Sequence, residues 1–361
     1  MKKLLIIPIF ILLAVFYSCN DPIFFMISKE VPKIEPLIKG SPTNFVVFNG
    51  DVYVASGTIL YKYRNGIWDS ATFTPGGRIM SIAVANTYIY ALCIGNDDKV
   101  SIKRAANPAS WSDVPGINSN VQSFYAINNQ LFFGSRNNDS DSYSIYHIDT
   151  PSVPITDLTN VSMLRGVAFD GTFFYICTDN GIYHTTGFVS ATLVPESNGK
   201  DFIGIIGIGS TNIVAITRSG VLYSVTSGGV SVIADANFTD NRYATGALTL
   251  WGDNTTPNKL LLVGRQDINY SVSSGYTYGY VEIKIVNNEI SGSFNEPGID
   301  TLTTVSDINM YVSSIGKNHV NHLFQAPFSV DQQMRLFAST QKNGVWSYKV
   351  RNGVLQWNAE D

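Results

Sequence analysis

The feature that most constrains the fold is a motif that recurs along the chain from residue 44 onward. It consists of an apolar segment, a short polar turn and a second apolar segment, and this pattern predicts an antiparallel β-hairpin. Asn-Gly, Asn-Asn and Asp-Gly at three of the turns supply the positive φ that two-residue hairpin turns require. The five clearest copies span residues 45–54, 82–90, 124–133, 166–175 and 206–214.

A third predicted strand follows each hairpin, with a small or turn residue before alternating aromatic and aliphatic positions. A short fourth strand follows most of the third strands, as at residues 66–68 and 354–357. Each unit therefore reads as a four-stranded sheet. The seven third strands cover residues 58–63, 99–103, 143–148, 181–184, 220–225, 279–284 and 344–350.

The repeat length predicts an all-β fold, a single β-propeller of about seven four-stranded blades. Residues 44–361 divided among seven units give about 45 residues each, inside the roughly 40 to 50 that propeller blades occupy. Six or eight blades stay open, because insertions near 253–256 and across 292–322 stretch the last two units. Stacking buries both faces of each sheet, at roughly 25 cal/mol per Å² of apolar surface.

Composition agrees with a β-rich chain and excludes one class of partner. Charged residues make up 14% and aromatic residues 12%, and β-branched and aromatic side chains favour pleated sheets. The net charge of -4 and the absence of basic tracts give no reason to expect nucleic acid as a partner.

The first 18 residues have the pattern of an export signal, with a basic start and an apolar segment interrupted by Pro8. Residues 15–19 end in Ser18-Cys19 and resemble a bacterial lipobox. The resemblance implies cleavage before Cys19 and acylation of its sulfur by chains such as palmitate. A plain secretory signal with an incidental cysteine is the alternative.

These features divide the chain into a signal peptide at 1–18, a lipidated tether at 19–43 and a propeller at 44–361. Acyl chains contribute about 0.8 kcal/mol per buried methylene, so multiple chains would hold the protein at a bilayer. We expect it in the cell envelope, lipid-anchored at the outer membrane or cell surface. Cys93 and Cys177 lie at similar places in two different repeats, and we expect both to be buried free thiols.

The last repeat resembles a quinoprotein-type propeller repeat: a glycine, an apolar-aromatic strand, a turn glycine and a terminal Trp at residues 344–357. Residues 57–68 follow the same pattern. The resemblance implies that Trp68 and Trp357, and less closely Trp111, pack against a neighbouring blade. It implies no quinone, and we expect no cofactor.

Motifs that carry catalysis are scarce. The chain has no Gly-x-Ser-x-Gly elbow, no Walker loop, no dinucleotide fingerprint and no sialidase-type Ser-x-Asp-x-Gly-x-Thr-Trp turn. His319 and His322 have a spacing that could bind a metal, but no ligand beside them completes a set, so we interpret them as a loop pair. His147 and His184 fall in third strands and are interpreted as structural. No metal is expected.

Arginines recur where first strands begin and second strands end, and both positions lie on the face around the channel mouth of a propeller. This placement predicts a site there for an anionic or carbohydrate ligand, with two tyrosines of the 271–280 insertion as stacking partners. The predicted site residues are Arg136, Arg165, Arg218, Arg265, Tyr276 and Tyr278, and Arg78 and Arg242 lie in the same region.

The leading functional hypothesis is a membrane-tethered, non-enzymatic binding or scaffold lipoprotein that presents propeller loops to a protein or glycan partner. One alternative is a propeller hydrolase or lyase acting on carbohydrate, which would need carboxylates or a histidine facing each other across the channel. A second alternative is an accessory scaffold in outer-membrane protein assembly, because propeller lipoproteins of this general plan include an accessory subunit of the β-barrel assembly machine.

Overall fold

The computed structural model describes residues 37–70, 75–117, 120–136, 142–235, 242–252, 260–267, 279–295, 315, 318–351 and 354–360. Within these residues the chain is all-β, and it forms seven antiparallel sheets in sequence order. The fold is a seven-bladed β-propeller. In the described part of the chain no helix is long and apolar enough to cross a bilayer.

Each blade is a meander in which consecutive strands pair. Blade 1 contains β1 (Val46–Phe48), β2 (Asp51–Ser56), β3 (Ile59–Arg64) and β4 (Ile67–Ser70); blade 2 contains β5 (Arg78–Ala85), β6 (Tyr88–Ile94), β7 (Val100–Asn107) and β8 (Ser110–Asp113); blade 3 contains β9 (Val121–Ile127), β10 (Gln130–Arg136) and β11 (Tyr143–His147). Blade 4 contains β12 (Leu164–Phe169), β13 (Phe174–Thr178), β14 (Gly181–Thr185) and β15 (Thr192–Leu193); blade 5 contains β16 (Phe202–Ile208), β17 (Asn212–Thr217), β18 (Val221–Thr226) and β19 (Gly229–Asp235). Blade 6 contains β20 (Arg242–Trp251), β21 (Leu260–Asp267), β22 (Gly279–Val286) and β23 (Glu289–Asn295); blade 7 contains β24 (Val320–Gln325), β25 (Leu336–Thr340), β26 (Val345–Arg351) and β27 (Val354–Ala359).

Blade 3 has a reduced outer edge. Its sheet has three strands, and an isolated antiparallel bridge between Tyr146 and Pro154 takes the place of the fourth. The amide of Ile155 donates to the carbonyl of Ile145 at 2.8 Å beside this bridge. Pro154 cannot donate a backbone hydrogen bond, so pairing ends here after a single bridge.

The hairpin turns have the predicted backbone conformation in two of the three motifs. Asn49 and Gly50 have φ of 50° and 80°, and Asn128 and Asn129 have 47° and 61°. The Asp-Gly motif is different, because Phe169 pairs with Phe174 and four residues lie between them, so the two-residue turn predicted there is wrong. The Asp170 carboxylate holds this wider turn by accepting hydrogen bonds from two amides inside it.

The hydrophobic core is divided among the blade interfaces. Seven clusters of buried apolar side chains occur among the described residues, and each one joins two neighbouring blades. No blade buries both faces by itself, so the ring gains its burial only when the blades stack. Cys93 belongs to the cluster between blades 1 and 2, and Cys177 belongs to the cluster between blades 4 and 5. Both are buried free thiols, as predicted.

The predicted tryptophan packing is also present at the interfaces. Trp68 of blade 1 lies 5.4 Å from the Phe337 ring of blade 7. Trp357 of blade 7 donates through Nε1 to the Tyr280 hydroxyl of blade 6 at 3.0 Å. Trp111 of blade 2 packs on the cluster shared with blade 1.

The ring closes between blades 7 and 1 by side-chain packing, and both blades draw all four strands from their own part of the chain. The Phe45 ring lies 5.7 Å from Phe324 and 5.8 Å from Phe337. The Tyr63 hydroxyl donates to the Asp331 carboxylate at 2.7 Å across the same interface.

Residues 37–43, which the sequence places in the tether, pack against the last blade. The Leu37 amide donates to the carbonyl of Glu360 at 3.2 Å, and the Gly344 amide donates to the carbonyl of Gly40 at 3.0 Å. Ile38 is fully buried in the cluster that closes the ring. This segment therefore adds a backbone connection across the closure.

Candidate functional site

The innermost strand of blades 2–7 carries a register shift near the end where the strand begins. The shifts lie between Ile79 and Ser81, between Ser123 and Val121, between Leu164 and Gly166, and at three further equivalent places. A β-bulge bends its strand and turns a side chain away from the regular alternation. The bulges therefore surround the axis of the ring at one face, and Arg165 occupies the bulge of blade 4.

A cavity of about 600 Å³ lies at the axis, lined by the innermost strands of blades 1, 2, 3, 6 and 7. Its size is within the roughly 300 to 1,000 Å³ of small-molecule sites. Aromatic and polar residues both occur among those that line it. The aromatic ones are Phe45, Phe124, Tyr125 and Phe324, and the polar ones are Asn44, Ser81, Gln122, Ser123, Thr249 and His322.

The opposite side of the axis is closed by direct packing of innermost strands. A Cβ on Gly166 would lie 3.1 Å from the Ile205 side chain, and a Cβ on Gly204 would lie 2.9 Å from Leu248. Glycine at these places lets the strands of blades 4, 5 and 6 approach each other closely. The cavity is consequently offset away from blades 4 and 5.

Side chains at the start of one innermost strand bond to the backbone of the next blade. The Asn44 amide donates to the carbonyl of Ile82 at 2.6 Å, and its Oδ1 accepts from the Ile82 amide at 3.0 Å and from the Ser81 hydroxyl at 2.9 Å. The Ser123 hydroxyl donates to the carbonyl of Leu164 at 3.2 Å. These bonds fix the cavity wall, because each joins neighbouring blades at its lining.

His322 lies on β24 and lines the cavity, so the interpretation of it as a loop residue is wrong. Burial lowers the pKa of His322 from 6.5 to about 4. The imidazole is neutral at pH 7 and carries one donor and one acceptor. His319 immediately precedes the strand, and burial lowers its pKa as well.

The other two histidines pack against aromatic rings. His147 stacks on Phe188 with ring centroids 4.0 Å apart, and His184 lies 4.9 Å from the Phe173 ring. Burial lowers the pKa of both imidazoles. These contacts are of the structural kind that the sequence indicates.

Tyr125 and Tyr143 pack at the interface between blades 3 and 4. The Tyr143 hydroxyl accepts a hydrogen bond from the Leu164 amide at 2.9 Å and lies 3.3 Å from the Ser123 hydroxyl. Burial raises the pKa of Tyr125 to about 12, whereas the nearby positive charge of Arg165 acts in the opposite direction. Ser123 hydrogen-bonds to the carbonyl of Leu164, the residue before Arg165, but Arg165 is not among the residues that line the cavity.

The predicted arginines do not form one cluster of equivalent charges. Arg218 is paired with Asp201, with Nε 2.8 Å from the carboxylate, and Arg136 is exposed at the end of β10. Arg265 pairs through its backbone with Gly279 in blade 6, and its side chain lies outside the described residues. Tyr276 and Tyr278 also lie outside them.

Solved structures show what this chain is similar to. No protein-family model matches the chain, and a search of curated proteins gives no match. An extracellular domain assigned to a hybrid two-component system of B. thetaiotaomicron aligns with 14% identity and a TM-score of 0.56 over 87% of this chain. This chain spans 38% of the length of that one.

Two further structures align equally well. YCF48 bound to D1 peptide shares 10% identity at a TM-score of 0.56, over 89% of this chain and 96% of its own. An ancestral GH74 enzyme shares 12% identity at a TM-score of 0.56, over 90% of this chain and 46% of its own. Identities this low show the fold alone.

None of the predicted site residues that the structure describes is among the residues that line the cavity. Gln122, Ser123 and Tyr125 fall in or beside the third hairpin motif, where the alternating pattern indicates only a strand. A polar residue near the start of an innermost strand was the available signal, since Asn44 lies two residues before β1 and Ser123 is the third residue of β9. These residues come together around one axis only because the blades close into a ring.

Proposed function

We propose that this protein is a non-enzymatic binding lipoprotein of the cell envelope that takes a glycan into its axial cavity. The observation that carries the proposal is the cavity itself, whose lining residues include serine, threonine, asparagine, glutamine and histidine together with aromatic residues. Sugars offer hydroxyls to polar groups and C–H faces to aromatic rings, so this lining has the chemistry that they need.

The absence of paired acids favours binding over hydrolysis. Among the described residues that line the cavity, no carboxylate is present, and no group of three metal-binding side chains occurs in the described part of the chain. Glycoside hydrolysis ordinarily uses two carboxylates on either side of the scissile bond. His322 alone provides a base without a partner acid.

A protein partner on the outer surface has less support. The large exposed apolar side chains of the described residues are spread over many blades, whereas a docking surface usually forms one contiguous patch. These include Ile67 of blade 1, Val153 beside blade 3, Val189 beside blade 4, Val232 of blade 5 and Val286 of blade 6. The similar solved structures include a propeller bound to a peptide and a GH74 enzyme.

Glycan binding is tested with the full mature protein purified in detergent. A glycan array identifies a ligand, and titration calorimetry then compares the wild type with Gln122→Ala and Tyr125→Phe. Gln130→Ala is the matched control, because Gln130 lies in the same blade but not at the cavity. We expect both cavity variants to weaken binding and the control to retain it. Equal affinity in all four proteins would refute the cavity as the site.

The enzyme alternative rests on His322 in the cavity wall. If the protein is a lyase, incubation with the glycan releases unsaturated products that absorb in the ultraviolet, and His322→Gln abolishes them. Intact glycan after prolonged incubation would leave binding as the function.

The anchor is tested separately from the ligand. We expect the mature protein to carry fatty acyl groups at Cys19 and to partition into detergent, whereas Cys19→Ala remains in the aqueous phase. Mass spectrometry of the N-terminal peptide decides between this proposal and a plain secretory signal.

A further inference from the structure

Residues 37–43 lie on the face of the propeller where the innermost strands begin. The Leu37 amide donates to the carbonyl of Glu360, just after β27 ends, and the hydroxyl of Ser56, at the end of β2, donates to the carbonyl of Lys39. Consecutive strands of a meander are antiparallel, so first strands begin on the face where second and fourth strands end. Asn44 lines the cavity and is the seventh residue after Leu37, so the two lie within about 25 Å of each other.

Three large apolar side chains are exposed together on this face. Leu37, Ile59 and Met80 are 43%, 39% and 44% exposed. The turn between β2 and β3, just before Ile59, joins them, because the serine at its start bonds to the segment of Leu37. The Gly57 carbonyl of the same turn accepts from the Ile79 amide, beside Met80, at 2.8 Å. We call residues 37–41, 57–59 and 76–80 the entry patch, and it borders the cavity because Met80 also lines the cavity.

The charged side chains of the entry patch are basic. Lys39 and Arg78 are exposed, and these three described segments contain no aspartate or glutamate. Asp97 and Asp98 lie in the next loop of this face, where the Lys99 ammonium is 3.3 Å from the Asp97 carboxylate. Apolar side chains beside cations are the combination that binds the interface of a bilayer with anionic lipids, since buried apolar area and electrostatic attraction both contribute.

We propose that the entry patch rests on the bilayer that carries the lipid anchor, so that the cavity lies on the membrane-facing side of the propeller. This inference rests on the proposed acylation of Cys19, which residues 20–36, seventeen in all, separate from Leu37. Fully extended, a segment of this length spans about 60 Å, so attachment alone would let either face approach the bilayer. The patch decides between the faces, because its apolar side chains leave water at the headgroup boundary and its cations attract anionic lipids.

The test compares two labelled positions of blade 1 in membranes. Ile59→Cys and Ile67→Cys each carry an environment-sensitive fluorophore, and both isoleucines are exposed at opposite ends of the blade, since Ile59 begins β3 and Ile67 follows the turn after β3. Cys93 and Cys177 are buried, so the label attaches to the introduced thiol. The full mature acylated protein is reconstituted into vesicles of phosphatidylethanolamine and phosphatidylglycerol that contain lipids with a spin label on the headgroup, and fluorescence quenching is measured.

We expect the label at position 59 to be quenched at least about twofold more strongly than the label at position 67. Leu37→Ser combined with Met80→Ser is expected to bring the two values together. The matched control is Val286→Ser combined with Phe328→Ser, because these side chains are 42% and 43% exposed but lie on the opposite face, after β22 and between β24 and β25. This control should keep the difference between the two labels.

Flotation with the vesicles separates a failure of the anchor from a failure of the patch. Equal quenching at positions 59 and 67 in protein that floats would overturn the proposal and leave acylation intact. A difference that persists in the Leu37→Ser and Met80→Ser variant would also overturn it, because the tether alone would then orient the propeller. If the protein does not float, the anchor and the membrane-facing patch both fail.

Discussion

Protonation of His322 should destabilise the propeller in mild acid by an amount that the structure allows one to calculate. Its pKa is lowered from 6.5 to about 4 by burial in the cavity wall. The His322 imidazole therefore binds a proton near pH 6.5 in the unfolded chain but only near pH 4 in the folded chain. The contribution of neutral His322 to the free energy of unfolding is fully present above pH 6.5 and is lost as the pH falls toward 4.

Integration of this difference gives a loss of about 2 kcal/mol between pH 8 and pH 5 from His322 alone. Water that reaches the cavity screens the charge, so the value is an upper bound. We expect His322→Gln to abolish this part of the pH dependence. Because the substitution can alter stability at every pH, the quantity compared is the change in unfolding free energy between the two pH values.

The assay is urea unfolding followed by tryptophan fluorescence at pH 8 and pH 5, for the wild type and His322→Gln. His184→Gln is the control, because burial also lowers the pKa of His184 but the side chain lies in an outer strand away from the cavity. An identical loss of stability in the wild type and His322→Gln would refute the reasoning, since the cavity would then not hold the imidazole in its neutral form.

Three further outcomes follow from packing and hydrogen bonding. Gly134→Ala should lower the free energy of unfolding by about 1 to 3 kcal/mol, because a Cβ would overlap the Tyr143 phenol. In denaturant unfolding, the double variant Gly134→Ala/Tyr143→Leu should lose less stability than the sum of the losses in the two single variants. Asn44→Ala should lower the unfolding free energy by about 1 to 3 kcal/mol by leaving buried backbone groups without partners, whereas an unchanged denaturation midpoint would contradict the role of these bonds. Burial raises the pKa of Cys93 to about 12 and that of Cys177 above its ordinary value, so neither thiol should react with Ellman's reagent at pH 8 until the protein unfolds.

The blade pattern could be predicted because it is local. Asn49-Gly50 and Asn128-Asn129 adopt the positive φ that their residue types allow, and the flanking alternation of apolar residues fixes the strands. The Asp170 turn was mispredicted because the side chain hydrogen-bonds to its own loop, a competing local interaction that dipeptide rules omit.

The candidate site was predictable only in part. Arg165 was predicted from its place at a first strand and Arg218 from its place at the end of a second strand, and the structure pairs Arg218 with Asp201. His322 was expected in a loop, because a strand that follows a long insertion has no turn signal to mark its start. Charge pairing and strand boundaries of this kind depend on neighbours that are distant in the chain.

The sequence by itself determined that the chain forms repeated antiparallel sheets, because the period of two and the turn residues act over a few neighbouring positions. It also determined that no sheet could stand alone, since both faces of each are apolar. Only the tertiary structure decided that five innermost strands leave a cavity while those of blades 4 and 5 close against their neighbours. The reason is that the space along the axis is set by how closely backbones approach across the ring, and no local pattern encodes that distance.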